Sequence, residues 1–157
     1  MKIVLGLDVS SSNTGVVALD IEGNYLWATL ITPNKKLTFE GRVLEISRTL
    51  KLLISKHQIV AAGIEWSSFA SRGKVADLSA LNGFIFYTLL EQGVDITKLP
   101  PSTIKKEYQG KGNCKKEDME LATPPNIISK FLLISPKKID DLVDAYAIAK
   151  VIYAKYL

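Results

Sequence analysis

Two short apolar runs, KIVLGLDV and IVAAGIEW, each carry one acid near their far end, Asp8 in the first and Glu65 in the second. Runs of this length and composition, Ile3 to Val9 and Ile59 to Trp66, read as buried strands. Before the second of them, Val43, Ile46, Leu50, Leu53 and Ile54 recur at helical spacing between a capping Thr38 and about Lys56. A helix crossover places the second strand parallel to the first. In an open α/β sheet, functional groups gather beyond the carboxyl ends of such strands. The chain is thereby held to an α/β fold that brings Asp8 and Glu65 to one end of a sheet.

The rest of the chain supplies the other layers. Thr14 to Asp20 and Tyr25 to Ile31, joined by the turn signal IEGN, form an antiparallel hairpin after the first strand. A second helix from about Lys74 to Gln92 carries Val75, Leu78, Leu81, Ile85 and Leu89, with Phe84 and Phe86 widening its apolar surface beyond one stripe. Gly93 ends it, and VDITKLP is a fifth strand. Pro100 and Pro101 stop that strand, and Ser102 opens a short helix. QGKGNCKKED reads as a flexible basic loop running into a helix that Pro124 and Pro125 stop. The final helix, Ile139 to Tyr156, carries Asp141 and Asp144 three residues apart near its start, on one face. Buried like charges repel unless they are protonated or a cation lies among them, so four such carboxylates suit a hard divalent metal.

With 157 residues, 47% of them hydrophobic, the chain has material for one core, and residues 1–157 read as a single domain. MKIVLGLDV is too short and too soon interrupted by Asp8 for a signal peptide or a membrane span, and a cytosolic location is expected. One cysteine, Cys114, excludes an intramolecular disulfide and a cysteine-based zinc cage, and reads as an incidental loop thiol. The net charge is +4, but Lys98 to Lys116 holds six lysines against one glutamate. That stretch is either a solvated loop or a polyanion contact, and an acidic cluster nearby favours the second, because phosphodiesters need neutralisation to approach carboxylates.

GLDVSSSNTG in a strand, GIEW at the end of another and DDLVDAYAIA on the last helix together resemble the RuvC family of Holliday-junction resolvases, within the ribonuclease H-like superfamily. The likeness runs over nearly the whole chain, in order. It implies a mixed five-stranded sheet flanked by helices. It also implies metal-binding carboxylates at Asp8, Glu65, Asp141 and Asp144, served by two Mg²⁺ ions that Mn²⁺ can replace. The activity so implied is paired nicking of four-way DNA junctions by a homodimer, leaving 5′-phosphate and 3′-hydroxyl ends. Asp140 points about a third of a turn away and reads as a helix-start charge instead of a ligand. The prolines of ATPPNIISKFLLISPKK depart from the family pattern, which suits a divergent member such as a bacteriophage-encoded one.

Other residues carry two readings each. Lys116 matches a family lysine near the active site, with Lys115 or plain surface charge as competitors. Phe69 is placed where the family carries an aromatic that wedges into the junction, but one residue further on, so a core role competes. Arg72, Lys74, Lys105, Lys106 and Lys111 are candidate phosphate contacts. Ser10 to Asn13 either holds a phosphate or shapes a turn, with the turn favoured, and Trp66 reads as packing. A ribonuclease H acting on RNA–DNA hybrids and a non-catalytic junction-binding protein are the alternative functions. A sugar-kinase or actin-like ATPase would open with a similar glycine- and serine-rich hairpin but needs two domains. Dimerisation is expected through the second helix, using Leu78, Leu81, Phe84, Ile85 and Leu89.

Overall fold

The structure, a computed structural model, describes residues 1–66 and 75–156. Five strands, β1 (Lys2–Asp8), β2 (Thr14–Asp20), β3 (Tyr25–Ile31), β4 (Gln58–Glu65) and β5 (Asp95–Leu99), form one sheet in the order β3-β2-β1-β4-β5. β1, β2 and β3 pair antiparallel, whereas β4 lies parallel to β1 and β5 parallel to β4. Six helices cover the sheet: α1 (Phe39–Lys56), α2 (Val75–Glu91), α3 (Pro101–Gln109), α4 (Lys116–Ala122), α5 (Pro125–Ile134) and α6 (Asp140–Tyr156). The mixed sheet flanked by helices is the α/β architecture expected from the sequence.

Alternation along β1 separates two cores. Ile3, Leu5 and Leu7 face α1 and α2, packing with Ile46, Leu50, Leu81, Ile85 and Leu89. Val4 faces the other way, into a core built on α6 with Leu142, Tyr146, Ile148 and Phe131. α1 begins as the sequence indicates, with the Thr38 hydroxyl accepting from the Gly41 amide at 3.2 Å.

α6 lies so close on the sheet that three strand positions have no room for a side chain. A Cβ at Gly6 would run into the Ala145 carbonyl oxygen and lie 2.9 Å from the Ala149 Cβ. One at Gly63 would meet Ile148 and Ile152, and one at Gly15 would collide with the Asp141 carbonyl. The small residues Gly6, Ala145 and Ala149 set the distance between helix and sheet, and with it the height of every side chain on the first turns of α6.

Two readings of the sequence are corrected. Pro101 and Pro125 each begin a helix, at the first position where a missing N–H and a fixed φ cost nothing, so α3 starts one residue before Ser102 and α5 starts at the second of the paired prolines. The loop read over QGKGNCKKED is shorter than expected: α3 runs to Gln109 and ends on Gly110 at φ 95°, and α4 already starts at Lys116. Cys114 lies in the loop between α3 and α4, as read, and is buried in the α6-side core with Met119 and Ile127 among its members.

Candidate active site

Asp8 is the last residue of β1 and Glu65 the last of β4. Leu7 pairs with Ile64 in the parallel ladder, so the two acids stand at adjacent ends of neighbouring strands. Each is two residues past a glycine that touches α6, Gly6 before Asp8 and Gly63 before Glu65, and alternation therefore turns both carboxylates to the α6 side. Across the antiparallel ladder Asp8 pairs with Gly15, the residue whose bare backbone admits the Asp141 carbonyl. The first turns of α6 thus pass over Asp8, bringing Asp141 and Asp144 to it.

The electrostatics report the same gathering. Asp8 is pushed up to about 8, first by burial and then by Asp144, Asp141 and Glu65 in turn. Burial likewise raises Glu65, Asp141 and Asp144, and Asp144 adds to the shift of Glu65. Among the described residues none of the four accepts a hydrogen bond or forms an ion pair. Half-buried acids without donors are electrostatically costly.

The arrangement is open. Among the described residues, no three His, Cys, Asp or Glu side chains stand in a geometry that could hold a metal ion as they are. What fits a divalent cation is the chemistry of the donors: hard oxygens, several negative charges, and burial that only positive charge relieves. Three lysines act on the cluster: Lys105, on α3, on Glu65 and Asp144; Lys116, the first residue of α4, on Asp8, Asp141 and Asp144; and Lys138, just before α6, on Asp141. Lys116 Nζ donates to Asp140 Oδ2 at 3.1 Å.

The raised carboxyls make a stability prediction. Between its ordinary value of 3.8 and about 8, Asp8 holds its proton more firmly in the native state than in the unfolded chain, and the other three shift in the same direction. A native state that binds more protons loses stability as pH rises, by up to about 1.4 kcal/mol per pH unit for one full proton. In chelator, denaturant unfolding is expected to show stability falling from pH 5 to pH 8.5, with divalent cation restoring it at the upper end. Stability that is flat or rising over that range would contradict the buried-acid description.

The family profile described as Crossover junction endodeoxyribonuclease RuvC matches residues 4–152. The chain belongs to the RuvC family. The RuvC of Prochlorococcus marinus (strain MIT 9211) is 28% identical over 154 residues, covering 96% of this chain and 95% of the relative. The Thermus thermophilus RuvC structure superposes with a TM-score of 0.75 at 20% identity, over 98% of this chain and 96% of that one. The same protein in complex with Holliday junction substrate gives 0.74 at 18% identity, over 99% and 96%. These structural likenesses bear out the fold inferred from the RuvC resemblance.

Of the lysines read as candidate DNA contacts, Lys105 acts on Glu65 and Asp144 of the acid cluster, while Lys106, Lys111 and Lys115 are exposed on α3 and the segment leading to α4. Phe69, Arg72 and Lys74 lie outside the described residues. The polar turn is structural: Ser10 Oγ donates to the Asn13 carbonyl at 2.7 Å and accepts from the Asn13 amide at 3.0 Å. Trp66 packs edge-on to Phe86, with Lys98 Nζ 3.9 Å above its ring. Sequence reasoning missed two features here. Lys105 was legible only as part of a basic run, and Asp140 only as a helix-start charge, because the contact to Lys116 spans 24 residues and two helices. The glycine two residues before each strand acid was the available signal for a helix seated over them.

Proposed function

We propose that this chain is a metal-dependent endodeoxyribonuclease that resolves four-way DNA junctions by paired nicks, as a homodimer built from one nuclease domain over residues 1–157, acting on DNA in the cytoplasm. The observation that carries the reading is the convergence of Asp8, Glu65, Asp141 and Asp144, from three elements, on one end of the sheet in a chain of the RuvC family.

Asp8, coupled to each of the other three acids, would hold Mg²⁺ ions together with Glu65, Asp141 and Asp144, with Mn²⁺ as a substitute. Such ions would supply Lewis-acid activation of water and stabilisation of the leaving 3′ oxygen. Lys116 and Lys105 neutralise the approaching phosphate, which four carboxylates alone would repel. Lys106, Lys111 and Lys115, with Arg72 and Lys74, hold the DNA backbone beside the branch, and Phe69 is the candidate wedge into the junction. The products carry 5′-phosphate and 3′-hydroxyl ends.

The dimer reading changes in its residues. Leu81, Ile85 and Leu89 are buried in the core and unavailable to a partner, while Phe84, Tyr87 and Leu90 are exposed on the opposite face of α2. That face, continued by the exposed Ala80 and Gly83, is the surface proposed to meet its own copy across a two-fold axis. Among the described residues no helix is long and apolar enough to cross a membrane.

A supercoiled plasmid carrying an extruded cruciform tests the proposal. Paired cuts within one binding event yield linear plasmid directly; accumulation of nicked circles with no linear product would defeat the resolvase reading. The lysines give a separate prediction. Converting Lys115 and Lys116 together to Ala is expected to lower junction affinity and to flatten the salt dependence by roughly one unit of slope per lost phosphate contact. An unchanged slope in a titration over salt concentration would leave both lysines outside the DNA surface.

A further inference from the structure

The ion pair between Lys116 and Asp140 joins the first residue of α4 to the first residue of α6, at 3.1 Å, and sits on the rim of the acidic cluster. The lysine side chain is 71% exposed and the aspartate 37%, so as a source of fold stability the pair is worth little. Its position is what matters. The ammonium is drawn toward Asp144 and Asp141 as well as Asp140, and those first two acids, with Asp8, are half-buried and without donors. A lysine on a flexible four-carbon stem beside such a cluster is a tethered cation, with an effective concentration on the order of millimolar or more. That is the concentration range in which free divalent ions compete. Glu120 and Val143 line the same small cleft with Lys116, Asp140 and Asp144. Glu120 stands one turn along the lysine's own helix, in the weaker order for an i, i+4 pair, and ties the ammonium to nothing outside α4.

We infer that Asp140 is a positioning residue for Lys116: it anchors the ammonium on the rim of the carboxylate cluster and keeps it from taking the place of a divalent cation. This rests on the reading of the cluster as a cation site. Asp140 touches neither the cluster's oxygens nor DNA in this role; it acts through the lysine. When the cluster is charged by cations, the same anchor holds the lysine against their repulsion, at the edge where a phosphate arrives.

Calorimetric titration of Mn²⁺ into the full chain tests this with four proteins: native, D140N, K116A and the double variant. Asp140→Asn is expected to weaken Mn²⁺ binding about tenfold where Lys116 is present. With Lys116 replaced by Ala, the same substitution should cost about twofold, the screened loss of one nearby charge. Asp140→Glu should restore most of the native affinity, and the double variant, which removes one charge of each sign, should melt in chelator close to the native protein. An equal factor in both lysine backgrounds, or no weakening by D140N, overturns the inference while leaving the cation site intact. Failure of the native protein to bind Mn²⁺ would instead remove the cation-site reading, and this inference with it.

Discussion

Asp8→Asn is expected to reduce junction cleavage by about a thousandfold or more while leaving junction affinity unchanged or slightly higher. The substitution keeps size and strand geometry and removes one negative charge from the position that feels all three other acids. Chemistry depends on that charge, because Asp8 couples to each of the other three acids, a place it shares with Asp144. DNA binding does not, and a phosphate backbone meets less repulsion once the charge is gone. The same variant should be more stable than the native chain in chelator at pH 8, with the difference shrinking toward pH 5, since Asp8 is pushed up to about 8. Gel-shift and single-turnover cleavage on the same labelled junction separate the two effects. Parallel loss of binding and cleavage would show that Asp8 shapes the fold or the DNA surface instead of the reaction centre. Ca²⁺, larger and more loosely coordinated, should support binding without efficient turnover.

Gly6→Ala is expected to destabilise the fold by about 3 kcal/mol, the upper end of the usual cost of overpacking. The added methyl meets backbone, the Ala145 carbonyl and the Ala149 amide, and backbone in a helix buried along most of its length cannot rotate aside as a flexible side chain would. The helix must lift or β1 must sink. Either movement shifts Asp141 and Asp144 relative to Asp8, so surviving protein should also cleave about a hundredfold more slowly, a misplacement on the order of 1 Å being enough. Urea unfolding reads the first effect as a lower midpoint with an unchanged slope. A loss below about 1 kcal/mol would mean that α6 is not held at the height the glycine sets.

The strands and their acids were legible because the local signals agree with the tertiary ones. β2 and β3 fall on their expected bounds, Thr38 caps α1 as its hydroxyl allows, and the strand acids Asp8 and Glu65 end β1 and β4. What escaped the sequence had tertiary causes. A proline reads equally as a stop or as a first helical residue, and only the packing of Ile127 and Phe131 into the α6-side core decides that Pro125 starts a helix. α2 is apolar on most of its circumference, so periodicity alone did not separate the core face of Leu81, Ile85 and Leu89 from the exposed Phe84, Tyr87 and Leu90. Cys114 is buried in a core shared with Met119 of α4 and Ile127 of α5, a packing with no local signature. Lys116 was recognisable as a site residue by resemblance, yet its partner Asp140 became visible only when α4 and α6 were brought together.

The central claim is that four carboxylates at the end of this sheet cut DNA at a branch, with a divalent cation. The most direct measurement is cleavage by the purified chain, with Mg²⁺ and then with chelator, of three end-labelled substrates: a four-way junction, a linear duplex and an RNA–DNA hybrid. The account predicts symmetric nicks in two opposed strands of the junction, with 5′-phosphate ends, little cutting of the other two substrates and none in chelator. Preferential cutting of the hybrid, or undiminished cutting of the junction in chelator, would contradict it.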